Sequence, residues 1–358
     1  MPSQHQHIVL HGTAEARAFH SRFPAIDLHA DSLMWSRWLA YDLHARHDPP
    51  LPMSALGGHV DIPRMIEGGI GAQFFGLVSL PIGQRSGLAA VVDEQIDALE
   101  AAIAHRPDRL QKALTVEDIQ RAEKRGAVSA LLGIEGAHAL EGDLQNLFHF
   151  ARRGVRYLGL CHFSANETSF PAYGRGRRDE VGLLPFGREV IKHCEELGVI
   201  VDLAHINRRG FMEACEMATR PVIVSHTGVL GVHSHWRNID DDQLRAVADS
   251  GGCVGVIFCP RFLGGDGLKP VVEHLKHILD VCGEDAPALG SDWDGFIVPT
   301  KELCDAAHLP LLTDALMQSG YFNEEAISKI LRGNALRVLK DSAAPRAPNR
   351  GAMSSHEP

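Results

Sequence analysis

Short apolar, β-branched runs alternate along this chain with segments of helical periodicity, the pattern of βα units wound around a parallel sheet. The strand candidates fall at about 24–29, 70–79, 127–134, 155–161, 198–204, 221–225, 252–258 and 286–291. Helix ends between them are legible. Pro185 opens a helix whose apolar face is Phe186, Val190, Ile191, Cys194 and Leu197, and Gly198 stops it. Asp240 with Gln243 three residues on predicts a capping box for a helix ending at Gly251. Eight strands with intervening helices predict an α/β fold, a (β/α)8 TIM barrel. No G-x-G-x-x-G follows the first strand, which removes support for a dinucleotide fold.

The pattern divides the chain into an N-terminal extension packing on the barrel (1–22), one catalytic barrel (23–340) and a disordered tail (341–358) without periodicity. Residues 32–65 are too many for a simple βα loop, so a helical excursion over the active-site face is expected, with Asp61 as an N-cap.

Four of the apolar runs stop on a metal-ligand residue. Ala25-Ile26-Asp27-Leu28-His29 leads to Asp31, Leu131-Leu132-Gly133-Ile134 to Glu135, Val201-Asp202-Leu203-Ala204 to His205, and Val222-Ile223-Val224-Ser225 to His226. Strands of a parallel barrel all end on one face, where the active site sits. These five residues are therefore predicted to meet. Most of the 21 histidines must be ordinary core or surface residues, and Asp31 alone would read as an N-cap of the segment after it. Convergence at strand ends is what singles these out.

A mixture of imidazole and carboxylate donors suits Zn2+, with Co2+ or Mn2+ as alternatives. Glu135, flanked by Gly133 and Gly136, can bridge two cations, His29 and Asp31 can serve one, and His205 and His226 the other. Three further residues suit supporting roles. Asp292, in Gly290-Ser291-Asp292-Trp293-Asp294-Gly295, can take a proton; Asp294 beside it reads as a loop or N-cap carboxylate. His162 can donate a hydrogen bond to a developing oxyanion. Arg237 can clamp a substrate carboxylate or form a surface ion pair with Asp240 or Asp241, and the residues alone leave both open.

Composition narrows the class. The chain has 358 residues, 45% hydrophobic and 22% charged, with a formal net charge of −10, so a nucleic-acid partner gains no electrostatic help. The basic run Arg175-Gly176-Arg177-Arg178 is followed by acidic residues and reads as a solvated loop. Seven cysteines without a C-x-x-C pair argue against a disulfide framework or thiolate zinc site. No apolar run spans a bilayer and Met1 to His20 has no signal-peptide core, so a cytoplasmic protein without membrane association is expected.

In these motifs the chain resembles the membrane (renal) dipeptidases of the amidohydrolase superfamily, from about Phe23 to Leu339. The elements carrying the resemblance are Ile26-Asp27-Leu28-His29-Ala30-Asp31, Gly133-Ile134-Glu135-Gly136, Arg156-Tyr157-Leu158 leading to His162, and Leu184-Pro185-Phe186-Gly187-Arg188-Glu189. Val201-Asp202-Leu203-Ala204-His205, Ser225-His226, Arg237-Asn238, Gly290-Ser291-Asp292-Trp293-Asp294-Gly295 and Gly333-Asn334-Ala335-Leu336-Arg337-Val338 complete it. The resemblance implies a zinc-dependent dipeptidase with two Zn2+ per chain and a small dipeptide substrate, L-Xaa-D-Xaa among the candidates, and a homodimer. It implies that His29 and Asp31 bind one zinc, His205 and His226 the other, and Glu135 both. His162 would polarise the scissile carbonyl, Arg237 hold the C-terminal carboxylate, and Asp292 shuttle the proton.

The chain departs from the family pattern at Phe163 to Phe170, where a polar stretch is usual, at Cys259, where an aromatic residue usually borders the pocket, and over 32–60. Pocket shape is thus less fixed than metal chemistry. Hydrolysis of another small amide such as an N-acyl amino acid, or of a lactone, is the rival within the class. A non-catalytic metal-binding barrel is the rival outside it; it predicts loss of Asp292 or a ligand, and none is missing.

Overall fold

Nine parallel strands organise the chain: β1 (Ala25–Ala30), β2 (Ile70–Val78), β3 (Leu110–Lys112), β4 (Val128–Glu135), β5 (Val155–Gly159), β6 (Ile200–Asp202), β7 (Ile223–Thr227), β8 (Cys253–Val256) and β9 (Pro287–Leu289). The computed structural model describes residues 10–47, 55–81 and 87–343; most of the expected tail and the first nine residues lie outside the described residues. Eight strands close a ring, because β1 pairs with both β2 and β9 and β2 pairs with β4. The result is a (β/α)8 barrel. β3 lies outside it, alongside the start of β4 with Leu110 opposite Val128. Sequence patterning misses β3 because Gln111 and Lys112 leave it no apolar run.

Two layers of apolar side chains hold the barrel. Ile26, Leu28, Phe74, Leu131, Tyr157 and Ile223 belong to the inner cluster, and a larger cluster packs the strands against the helices. Each fully buried Leu, Ile or Phe contributes roughly 1.5–3 kcal/mol against exposure. The helix ends follow the local chemistry. Pro185–Leu197 begins on its proline and ends at left-handed Gly198, and Asp240 and Gln243 form the reciprocal capping box of Asp241–Asp249. Asp61 caps Ile62–Glu67 by accepting from the Arg64 amide. At the N-terminal side, helix Ala14–Arg22 is tied down by Thr13, whose hydroxyl donates to Asp314 at 2.5 Å. No helix among the described residues is long and apolar enough to cross a membrane.

Local irregularities in the strands aim the side chains that matter. On β1, Asp27 pairs with Gln73 and Ala30 with Phe75, so β1 spends three residues where β2 spends two. Strict alternation from inward Ile26 and Leu28 would turn His29 outward; the extra residue re-aims it. The same happens on β7, where Val224 pairs with Val254 and Thr227 with Val256, turning His226 inward after Ile223. On β4 no correction is needed. Glu135 lies four residues after inward Leu131 and shares its face.

Candidate metal centre

Seven of the eight residues singled out by sequence line one cavity at the C-terminal end of the barrel, and the eighth, His29, lies against Asp31 and Glu135. Glu135 is its centre. His205 Nε2 is 2.8 Å and His226 Nε2 3.4 Å from Glu135 Oε1. His29 Nε2 stands 3.7 Å from the same oxygen and 3.2 Å from Asp31 Oδ1. His162 Nε2 is 3.6 Å from Glu135 Oε2, and Asp292 Oδ1 is 3.8 Å from His29 Nε2. The Nε2 atoms of His205 and His226 approach to 3.0 Å, and the rings of His29 and His226 stack at 4.1 Å.

These donors fit metal ions better than they fit one another. Asp31 occupies the N-cap position of helix Ser32–Leu39 without capping it, so its carboxylate is committed to the cavity. His29 Nε2, Asp31 Oδ1 and Glu135 Oε2 are buried without a directed hydrogen-bond partner. Burial opposes protonation of His29, yet the carboxylates of Asp31, Glu135 and Asp292 together push it up to about 10. Burial raises Glu135 well above the usual carboxylate range and lifts Asp292 to about 8, the neighbouring Asp31 adding to both. His162, His205 and His226 are held well below the ordinary imidazole value, chiefly by burial. Neutral imidazoles are the form that binds metal. Three donor groups here each have their ligand atoms within 4.8 Å of one another: His29 with Asp31 and Glu135, His29 with His226 and Asp292, and Glu135 with His162 and His205. His226 thus stands between the two sides of the cluster.

The supporting partners were not legible as such in the sequence. The Tyr157 hydroxyl lies 2.7 Å from His29 Nδ1. With Nδ1–H donating to it, Nε2 keeps its lone pair for the cavity. Likewise His226 Nδ1 is 2.9 Å from Ser225 Oγ, which donates to buried Asp202 at 2.7 Å. Asp27 and Ser291 repeat the motif between β1 and the loop after β9, the Ser291 hydroxyl donating at 2.6 Å. Two glycines make room. A Cβ on Gly133 would fall 1.9 Å from the Tyr157 ring, and one on Gly76 would fall 2.1 Å from Asp31 Oδ1. Backbone conformation adds a further constraint: His205 and Asp292 both sit at positive φ, 68° and 61°, a rare region for residues other than glycine.

Arg237 is 4% exposed and lines the cavity. Its Nη2 donates to the His226 carbonyl at 2.7 Å, and among the described residues no carboxylate comes within ion-pair distance of it. The surface pair is instead made by Arg208, 2.6 Å from Asp240. That closes the alternative left open by sequence. Asp294 is a buried loop carboxylate that accepts from Ser32 Oγ and the His59 amide. The loop read as solvated is exposed throughout 174–180, with Arg175 and Gly176 also lining the cavity and Arg177 paired with Asp179. One sequence expectation needs correction. Cys259 is buried and does not line the cavity; Phe262 and Arg261 from the following helix do, because the chain turns there into Pro260–Leu263.

A family model described as membrane dipeptidase, peptidase family M19, matches residues 13–351. The dipeptidase tcpJ of Claviceps purpurea is 31% identical over 314 residues, 84% of this chain and 73% of that protein. A solved metallopeptidase structure described as a dipeptidase of family M19 aligns at 27% identity with a TM-score of 0.81, over 90% of this chain and 99% of its own. A metallopeptidase from Rhodobacter sphaeroides, solved with a phosphinate mimic of the dipeptide L-Ala-D-Ala, aligns at 26% identity with a TM-score of 0.79, over 89% and 99%.

Proposed function

The chain belongs to the membrane dipeptidase family, peptidase family M19, and is a metallo-dipeptidase; on that premise we propose how its own residues hydrolyse a dipeptide. The observation that carries the proposal is the gathering of His29, Asp31, Glu135, His205 and His226 around one buried point beside an Arg237 without a carboxylate partner.

His29 and Asp31 would hold one cation, His205 and His226 a second, and Glu135 both, with Zn2+ the first choice and Co2+ or Mn2+ suited to the same donors. Bound there, such ions supply the Lewis acidity that brings the pKa of water toward neutrality. The remaining work falls to side chains. Arg237 holds the C-terminal carboxylate of the substrate, which limits the length of chain that fits. His162, neutral by burial, donates its N–H to the scissile carbonyl oxygen as charge grows there. Asp292, whose Oδ1 lies 3.8 Å from His29 Nε2 beside the ligand cluster, takes the proton from the attacking water and delivers it to the departing amine. An L-Xaa-D-Xaa dipeptide belongs to this proposal, on the strength of the L-Ala-D-Ala mimic held by the Rhodobacter relative. A cytoplasmic location and a homodimer belong to it too, on the sequence and family resemblance.

The test is hydrolysis of a stereochemically defined dipeptide panel by protein loaded with each metal, alongside metal counting. Two ions per chain with cleavage of free dipeptides and no cleavage of C-terminal amides is the expected result. Cleavage of amides and dipeptides at equal rates would remove Arg237 from its role.

A further inference from the structure

The cavity above the metal ligands is about 1270 Å3, more than the roughly 300–1,000 Å3 typical of small-molecule sites. One of its walls is aromatic. Phe163 and Tyr173 line it while 43% and 51% exposed. Trp236 stacks on Tyr173 with ring centroids 4.2 Å apart and meets Phe163 edge-on at 6.3 Å. Phe262 extends the wall, 5.9 Å from Trp236. Single exposed apolar side chains are ordinary on protein surfaces. Three aromatic rings gathered around Trp236 along one cavity form an apolar face that a ligand can cover.

The position of this face relative to the reacting groups identifies what covers it. Phe163 follows His162 in the chain, and its ring lies 4.5 Å from the His162 ring and 4.8 Å from that of His205. Trp236 immediately precedes Arg237. The strip therefore runs from the group assigned to the scissile carbonyl to the group assigned to the carboxylate. In a dipeptide, the atoms between that carbonyl and that carboxylate are the amide nitrogen and the Cα of the C-terminal residue.

We propose that Phe163, Trp236 and Tyr173 receive the side chain of the substrate's C-terminal residue and select apolar, above all aromatic, side chains there. This rests on the dipeptidase function and on the roles given to His162 and Arg237. Arg175 and Arg261 line the same cavity, but both side chains are exposed, and a solvated guanidinium discriminates weakly for a carboxylate. The aromatic face is the stronger selector because covering it removes apolar surface from water on both partners.

The experiment compares kcat/KM of the metal-loaded enzyme on dipeptides with Ala first and Gly, Ala, Leu, Phe, Asp or Lys second, for wild type, Phe163→Ser, Tyr173→Ser and the double variant. Both positions are exposed, so the fold tolerates the changes, and metal content is checked in each protein. Wild type is expected to favour Phe over Gly by about ten- to a hundredfold. The double variant should shrink that ratio to within about threefold, chiefly through KM. Calorimetric binding of phosphinate analogues of Ala-Phe and Ala-Gly should show the same loss of discrimination without turnover. An unchanged Phe-to-Gly ratio in the double variant, or a wild-type preference for Asp, overturns the inference while leaving the dipeptidase intact. Absence of cleavage for every dipeptide overturns the dipeptidase function, and this inference with it.

Discussion

The Tyr157 hydroxyl, from the interior of the barrel, stands 2.7 Å from Nδ1 of His29, and this bond sets which imidazole nitrogen faces the carboxylates. Tyr157 can reach it only because Gly133 leaves space for its ring. Tyr157→Phe is expected to keep the fold and to weaken metal binding about 10–100-fold. Chelator competition measures this directly; unchanged affinity would mean that packing alone orients His29.

Asp292 sits 3.8 Å from His29 but outside the ligand set proposed for either cation. Asp292→Asn is expected to retain both metals and to lose about 10²–10⁴-fold in kcat. Elemental analysis beside steady-state kinetics separates the two effects, and full turnover in this variant would take the residue out of the mechanism.

Arg237 presents a buried fork of donors, and lysine cannot reproduce it. Arg237→Lys should raise KM for dipeptides about ten- to a hundredfold, the equivalent of ~1.5–3 kcal/mol for a lost charged hydrogen bond, with a smaller effect on kcat. A KM that stays at the wild-type value would place the substrate carboxylate elsewhere.

In protein stripped of metal, His29 at about 10 and Asp292 at about 8 both carry protons at pH 7. Their folded values lie above the ordinary ones, so cations must displace protons on binding, and affinity falls as pH falls. Calorimetry in buffers of different ionisation enthalpy should register proton release at pH 7. Proton-neutral binding would show that the cluster is already ionised.

A pH effect on stability is expected from His274, far in sequence from any proposed ligand. Its Nδ1 accepts from the Val229 amide at 2.9 Å and its Nε2 donates to the Leu263 carbonyl at 3.2 Å, so the neutral ring is fully used. Burial lowers it to about 4 from the ordinary 6.5. On acidification the unfolded chain takes up the proton first, so stability present above pH 6.5 is lost as pH falls toward 4. The loss amounts to roughly 3 kcal/mol. His274→Gln should flatten this part of a plot of Tm against pH in the metal-loaded protein; an unaltered slope would assign the loss to other groups.

Much of the barrel could be read from the chain because burial on both faces demands apolar runs, and each barrel strand overlaps one of them. The five proposed ligands were readable because they lie at the ends of such runs. Glu135 follows from alternation alone. His29 and His226 do not: from Ile26 and Ile223 the period of two predicts the wrong face, and the extra residues on β1 and β7 appear only in the pairing. Ser225 beside His226 was a visible hint of a proton partner. Tyr157 was visible only as part of a motif, since nothing local connects it to a histidine 128 positions away.

The linear order of residues thus determined the strands, the capped helices and the donor types, since these depend on neighbours within a turn or a strand length. Tertiary structure alone decided that Arg237 faces the cavity instead of Asp240, that Arg175 joins the cavity wall, and that Phe163, Tyr173 and Trp236 form one face. Those outcomes depend on loops from different βα units meeting above the barrel, where side-chain direction is set by contacts between segments far apart in the chain.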